Sequence, residues 1–521
     1  MSSSRGADDA SHAARSGGSQ LLAMLGQGLV IFHKMFVARL FGDAAYGLYR
    51  TGADLCELLA RSGMVAADKG LLRFIAAHRG AGESDLEMAS LGSAIRLAGL
   101  TAVCLLLLLI AVAPGLNTLC AFTAHTGGGV CLWGNPLLPS VVRSMAPAAA
   151  AASLVLVLLA ATLGAKVTRV NLIVRGVAEP GLLIAGALAV FLVHGSVVGL
   201  ARAQFLIYLV LLVIAVVGAA RVFGARRFRA ALVAPRHPGF TSFVLPIGLS
   251  EILNTFVQKL DIFILCAYVE APTVGIYAAA EEIGRAVAGI RYAFDSVISP
   301  MLAEALYQRD RARARYNLAL VTRWVASVAA PIAATVLVLR RDILSLYGPD
   351  FVAGAGAAVL LVLGHLVNGV LGLVAGVLMM SGRSQLFFWN NLVAMILNLA
   401  LALLLIPRHG IFGAAIASFS GTAALLGAFT FEAWWLEGIH PFDRGLVKPF
   451  IAAAIAMAAE LGLERLPLPG LARIGVVIVA GAAVYFAVLL ALRPGKEELQ
   501  MARRLLGRLG LRRFQDGPPG P

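Results

Sequence analysis

The chain is 521 residues long, 60% hydrophobic and only 14% charged, with a formal net charge of +15. Soluble domains carry about 25% charged residues. This composition and a mean hydropathy of +0.85 therefore exclude a soluble globular enzyme and read as an all-α polytopic membrane protein. The excess positive charge lies in loops between apolar runs, a positive-inside bias that requires no nucleic-acid partner.

Residues 1–19 are polar and read as a flexible cytoplasmic tail, without the apolar core or cleavage site of a signal peptide. Six apolar spans follow, at 20–41, 45–66, 92–113, 144–165, 172–194 and 199–220, and make an N-lobe over 20–220. The first span carries Gln20, Gln27 and Lys34 at heptad spacing, with His33 beside Lys34. In the second, Arg50, Asp54, Glu57 and Arg61 stand at i, i+4, i+7 and i+11, within roughly 60° of one another on a helix. A charge at mid-bilayer costs roughly 2.5–3.5 kcal/mol on insertion scales, so this row faces protein or a water-filled cavity. Its i,i+4 pairs, Arg50–Asp54 and Glu57–Arg61, neutralise each other in part. Span five holds Arg175 and Glu179 at i,i+4, read as a static pair, with a kink expected at Pro180.

Residues 221–241 form a cytoplasmic linker, and six further spans at 242–268, 273–297, 317–339, 352–379, 386–406 and 411–434 make a C-lobe over 242–434. In the first of these, Glu251, Asn254, Gln258 and Asp261 fall within roughly 80° of one face, with Lys259 offset. The next adds Glu281, Arg285, Tyr292 and Asp295 as one stripe. Spans at 447–463 and 470–492 complete a set of fourteen, and 493–521 reads as a basic amphipathic cytoplasmic tail. The strings LLRFIAAHRG, GAKVTR, RVFGARRFRA and YQRDRARARY all fall in loops on one side, so both termini are placed inside. Cys120 and Cys131 lie in the longest opposite loop, where a disulfide and two free thiols are both open; Cys56, Cys104 and Cys266 read as packing residues. No Cys/His spacing indicates a metal, and no cofactor is expected.

An internal repeat runs through the two lobes. GLYRTGADLCE (47–57) and GIYAAAEEIGR (275–285) align at an offset of 228, matching Gly47 to Gly275, Tyr49 to Tyr277, Asp54 to Glu282 and Leu55 to Ile283. Six spans per half make the repeat parallel, with its axis along the membrane normal and the substrate expected where the halves face each other. The cations of the polar helices, Arg50, Arg61 and Arg285 with Lys34 and Lys259, are the expected contacts for an anionic substrate. The carboxylates Asp54, Glu57, Glu251, Asp261, Glu281 and Asp295 are expected to hold those cations or to couple transport to an ion.

The stretch FVARLFGDAAYGLYRTGADL, the motif YGPDF, and VLMMSGRSQLFFWNNLVAMILNLALALLLIPRHGIFGAAIAS resemble the polysaccharide and O-antigen repeat-unit flippases of the multidrug/oligosaccharidyl-lipid/polysaccharide (MOP) exporter superfamily. The match spans about residues 20–435. The resemblance implies two six-helix lobes, a central cationic cavity, and alternating-access flipping of undecaprenyl-pyrophosphate-linked oligosaccharide across the bacterial inner membrane. It further implies membrane lipids, H+ or Na+, and the pathway's polymerase and chain-length proteins as partners. A drug extruder of the same superfamily and a peptidoglycan lipid-precursor flippase are the alternatives. Extruders resemble one another in a first-span carboxylate, whereas this first span has Lys34 and His33 and neither Asp nor Glu. An enzyme is not expected, because the longest external loop offers only His125 and Arg143 as polar chemistry.

Overall fold

The computed structural model describes residues 2–117, 131–381, 383–465, 467 and 470–492; side chains are described from Gly26 onward, apart from residues 27, 116, 117, 292, 293, 296, 297, 300 and 384. The sequence readings at Gln20, Gln27, Cys120 and Tyr292, and over the tail from 493, fall outside that set. Among the described residues every regular element is a helix, as hydrocarbon demands of a chain that must satisfy its own backbone.

Helix α1 (Ser2–Met64) holds the first two spans, folded at Gly42, whose φ of 82° suits a residue without a Cβ. After α2 (Ala67–Ala81) come α3 (Ser84–Val112), α4 (Leu138–Gly164), α5 (Arg169–Leu192) and α6 (Val197–Phe223). Next are α7 (Ala225–Val233), α8 (Phe240–Val257), α9 (Leu260–Tyr268), α10 (Ala271–Tyr307), α11 (Arg311–Tyr347) and α12 (Asp350–Met380). Helix α13 (Ser384–Glu437) holds spans eleven and twelve, folded at Gly410 with φ 53°. Helices α14 (Val447–Leu463) and α15 (Gly470–Ala491) close the series. Counting α8 and α9 as one interrupted pass, the described residues make fourteen passes, in the order read from the sequence. Cys131 is disulfide-bonded, whereas Cys56, Cys104 and Cys266 are free.

Three features depart from the sequence reading. The loops after spans two and six fold into amphipathic helices. α2 buries Leu71 and Ile75 and exposes Arg73, while α7 buries Phe228 and Ala231 and exposes Arg226, Arg227 and Arg229. Span seven is two helices, separated at Gln258 and Lys259. In α5 the disturbance ahead of Pro180 is a π-helical stretch over Leu172–Ala178, which carries Arg175 off the i,i+4 register of Glu179. The two do not pair: Arg175 is exposed, and Glu179 accepts the Tyr208 hydroxyl at 2.9 Å.

The chain divides into two compact units. One comprises residues 1–279, 346–351 and 406–414, the other 280–345, 352–405 and 415–521. In the first, Leu71, Leu91, Val157 and Leu211 anchor an apolar core built from α2, α3, α4 and α6. The same unit contains the repeat-matched glycines, which meet each other. A Cβ on Gly47 would lie 2.0 Å from the Ala271 carbonyl and 3.0 Å from the Gly275 amide; one on Gly275 would lie 2.4 Å from the Asp43 carbonyl and 3.0 Å from the Gly47 amide. Reciprocal contacts of this kind are what a two-fold axis between repeat mates produces. In the second unit, α11, α14 and α15 pack Ala330, Ala334, Ala452, Ala453, Ala456 and Tyr485 into a small-residue core.

Linker residues 225–239 are fastened to the first unit by polar contacts. His78 Nε2 stands 2.9 Å from His237 Nε2, and His78 Nδ1 is 2.7 Å from a Glu83 carboxylate oxygen. The His237 amide donates to Ser93 Oγ at 2.9 Å and Arg96 donates to the Leu232 carbonyl at 2.9 Å. Burial first, and then the neighbouring His78 ring, lowers the His237 imidazole from its ordinary value.

Gly47→Ala should cost about 1–3 kcal/mol or more, because the added methyl meets backbone and not a movable side chain. Gly28→Ala, which meets nothing within 4 Å, should leave thermal unfolding of the detergent-solubilised protein unchanged. A base whose folded pKa is depressed contributes stability that is present above its unfolded value and lost as pH falls. Hydrogen exchange of residues 225–239, corrected for intrinsic rate, should accordingly accelerate below about pH 6.5. His237→Gln should flatten that response; an unchanged pH profile in the variant would contradict the assignment.

Candidate functional site

In the first unit, five of the expected site residues form one continuous ladder. Arg50 Nε lies 3.1 Å from Asp54 Oδ2, an i,i+4 pair on the second half of α1. Lys259 Nζ lies 2.5 Å from the other Asp54 oxygen and 3.0 Å from Glu57 Oε2. Glu57 Oε1 is in turn 3.2 Å from Arg61. Charges therefore alternate along Arg50, Asp54, Lys259, Glu57 and Arg61. The ladder runs from a buried end, with the Asp54 side chain 1% exposed, to an open one, with Glu57 40% and Arg61 51% exposed.

Local backbone explains how Lys259 arrives there. Residues 258 and 259 form a turn between α8 and α9, with no Gly or Pro at the break. Lys259 follows the carbonyl end of α8 and Asp261 sits in the first turn of α9, each where the helix dipole favours its charge. Discontinuous membrane helices that present charges at such a break are a recurrent form of transporter binding site. The turn corrects the sequence reading of one polar face. Asn254 and Gln258 are exposed and Glu251 is half-buried on α8, while Lys259, read as offset, is the buried one. Asp261 accepts the Tyr277 hydroxyl at 2.5 Å and the Ile262 amide at 2.9 Å. Beside Asp54, Thr51 Oγ1 donates to the Gly47 carbonyl and contacts Cys266 Sγ at 3.5 Å. Tyr277 and Thr51 were not among the site residues expected from sequence, although the repeat had singled out Tyr277.

Lys34 is half-buried on the first half of α1; its neighbour His33 is buried, edge-on to Tyr49 at 6.2 Å. With Gln204 and the aliphatic side chains of α5 and α6, His33 and Tyr49 line a small cavity inside the unit. Two motifs also meet here: Tyr46 of YGLY packs against Tyr347 and Phe351 of YGPDF, with ring centroids at 6.4 and 5.9 Å.

The second unit carries its own polar group. Arg285 makes two hydrogen bonds to Glu281 Oε1, at 3.0 and 2.5 Å, and Glu282 is buried beside them on α10. Gly284 gives His365 its place, since a Cβ there would lie 2.7 Å from the imidazole. Asp295 is half-buried further along α10. Among the described residues no group of three His, Cys, Asp or Glu is arranged to hold a metal ion.

Residues 182–353 match the family of polysaccharide biosynthesis proteins. The fold is similar to the lipid II flippase MurJ in an inward closed conformation, with TM-score 0.68 and 13% identity over 90% of this chain and 97% of that one. The chain shares the fold seen in solved members of the MOP superfamily. An inward-facing multidrug resistance MATE transporter of that superfamily superimposes with TM-score 0.60 at 13% identity, covering 86% of this chain and 96% of the other. A MOP-superfamily transporter from Pyrococcus furiosus, with a binding pocket described as of reverse polarity, gives TM-score 0.51 at 13% identity over 84% and 94% of the two chains. No curated protein sequence matches the chain significantly. The likeness to polysaccharide flippases read from VARLFG, YGLY, YGPDF and SGR is thus borne out at the level of family match and fold.

The ladder predicts an asymmetric mutational response. Asp54→Asn removes the carboxylate that two buried cations, Arg50 and Lys259, share and should cost about 3–5 kcal/mol, most of it recovered in the double variant Asp54→Asn, Lys259→Met. Glu57→Gln, at the open end, should cost no more than about 1 kcal/mol. Thermal unfolding of the purified proteins measures all three; equal losses for Asp54→Asn and Glu57→Gln would contradict the burial gradient.

Proposed function

We propose that the chain is a flippase that carries undecaprenyl-pyrophosphate-linked oligosaccharide repeat units across the bacterial inner membrane by alternating access, for exopolysaccharide, capsule or O-antigen assembly. The observation that carries this reading is the open end of the ladder, where one half-exposed carboxylate, Glu57, holds both Lys259 and Arg61. A pyrophosphate bears more charge and more acceptor oxygens than Glu57. It can take both cations from it, Arg61 through a planar fork suited to two phosphate oxygens. Glu57 then acts as the placeholder anion that keeps the cations in position between turnovers. The buried end, Arg50–Asp54–Lys259, stays closed and fixes the geometry.

Family match and fold support a transporter and not an enzyme, and the Arg-rich loops support placing both termini on the cytoplasmic side. The N-lobe at 20–220 and C-lobe at 242–434 would be the moving bodies, pivoting about the closed Arg50–Asp54–Lys259 contact that joins them. Arg285, paired with Glu281 on α10, and Lys34 are the further cations proposed for the substrate. Glu251, Asp261 and Asp295 remain the carboxylates proposed to hold cations or couple an ion. The lipid-linked glycan and membrane lipids are the direct partners, and polymerase and chain-length proteins of the same pathway the neighbouring ones. A peptidoglycan-precursor flippase is the second reading, favoured by the similarity to MurJ.

Complementation tests the proposal. In a strain lacking its repeat-unit flippase, the chain should relieve accumulation of lipid-linked repeat units. Arg61→Gln should lower flipping about tenfold, and Arg61→Lys less, at equal protein levels. Rescue of a strain lacking the peptidoglycan-precursor flippase instead would favour the second reading. Conferral of drug resistance with no relief of accumulation would overturn both.

A further inference from the structure

Far from the ladder in sequence, a carboxyl group of the second unit is buried with no cation paired to it among the described residues. Glu460 on α14 is 1% exposed and sits between two apolar clusters: Ala330, Ala334, Ala456 and Tyr485 on one side, Val338, Leu339 and Val477 on the other. Its Oε1 accepts the Thr335 hydroxyl of α11 at 2.6 Å, and its Oε2 has no hydrogen-bond partner among the described residues. The third wall is the backbone of α15 at Gly481, where a Cβ would lie 1.8 Å from Oε1. Glycine at 481 is therefore a condition of the carboxyl's position. The charged groups on these three helices engage elsewhere or lie apart. Asp342 on α11 pairs with Arg473 on α15, and Arg340 donates to the Leu337 carbonyl. The side chains of Arg341 on α11, Lys448 on α14 and Glu464 just after it make no hydrogen bond or ion pair with the Glu460 carboxyl, whose partner is Thr335.

We propose that Glu460 is a proton-binding site within the membrane, loaded while α14 and α15 are packed on α11 and emptied when they part. An unpaired carboxylate in apolar packing costs far more than a neutral acid with one hydroxyl missing a partner. The packed arrangement thus holds the O–H on Oε2, and that O–H bond breaks, giving its proton to water, only when solvent reaches the group. A sodium ion fits the site poorly, because one carboxyl and one hydroxyl supply few of the oxygens a hard cation takes. As the coupling site of the flippase this rests on the function proposed above; as a proton site it does not.

The experiment has two arms. Infrared spectra of the purified full chain in lipid at neutral pH should show a carboxylic-acid C=O band that Glu460→Gln removes and Thr335→Val shifts by loss of its hydrogen bond. Gly481→Ala should weaken that band by displacing the carboxyl. Spectra unchanged by Glu460→Gln, or a band abolished on adding sodium, would overturn the proton site. In vesicles, flipping of lipid-linked glycan by wild-type protein should accelerate several-fold under an imposed pH gradient, and Glu460→Gln should flip at the ungraded rate only. A variant that responds to the gradient as wild type does would overturn the coupling role. Absence of flipping by wild type would count against the functional reading and leave the infrared arm to decide the site.

Discussion

An ionised carboxylate buried among membrane helices must be compensated by cations or hydrogen-bond donors, and Asp54 sets the terms for much of the first unit. Its own helix supplies Arg50 one turn away, but a second cation has to come from elsewhere. Lys259 provides it, and its approach coincides with the interruption of span seven. The close helix contacts nearby serve the same end. Gly47 and Gly275 remove the side chains that would keep α1 and α10 apart, and Gly52 lets α1 approach Met145 of α4. Removing one partner from such a buried network costs more than the network's net contribution to stability, so the arrangement constrains more than it stabilises.

Hydropathy and helical period carried most of the architecture. The span read at 447–463 is helix α14 with the same bounds, and both hairpin folds, at Gly42 and Gly410, fall where the sequence separates adjacent spans. Local pairs were legible for the same reason: Arg50–Asp54 and Glu57–Arg61 need only an unbroken helix. What the sequence hid depends on tertiary contact. Neither Gly nor Pro announces the break at Gln258 and Lys259, so the stripe drawn through Glu251 and Asp261 assumed a continuity that fails. Arg175 and Glu179 have the right spacing, yet the π-helical stretch between them changes the register. The site at Glu460 carries no local signal, because Thr335 and Gly481 lie on other helices.

The motifs behind the family resemblance acquire physical meaning as contacts. YGLY supplies Tyr46 to an aromatic cluster completed by Tyr347 and Phe351 of YGPDF, and its glycine is the one that meets Gly275. Residues some 300 positions apart in sequence are thus tied to the same turn of α1 that leads into the charge ladder. On the proposed reading, rigid packing at Tyr46 and Gly47 holds the buried end of the ladder, while the open end at Glu57 and Arg61 remains free to exchange its anion.

The central claim is that a phosphate-bearing headgroup replaces Glu57 between Lys259 and Arg61. Its most direct measurement is the affinity of the purified protein, by native mass spectrometry, for undecaprenyl pyrophosphate against uncharged undecaprenol. Wild-type protein should prefer the pyrophosphate by at least about tenfold, and Arg61→Gln should lose most of that preference. Equal affinity of wild-type protein for the two lipids would contradict it.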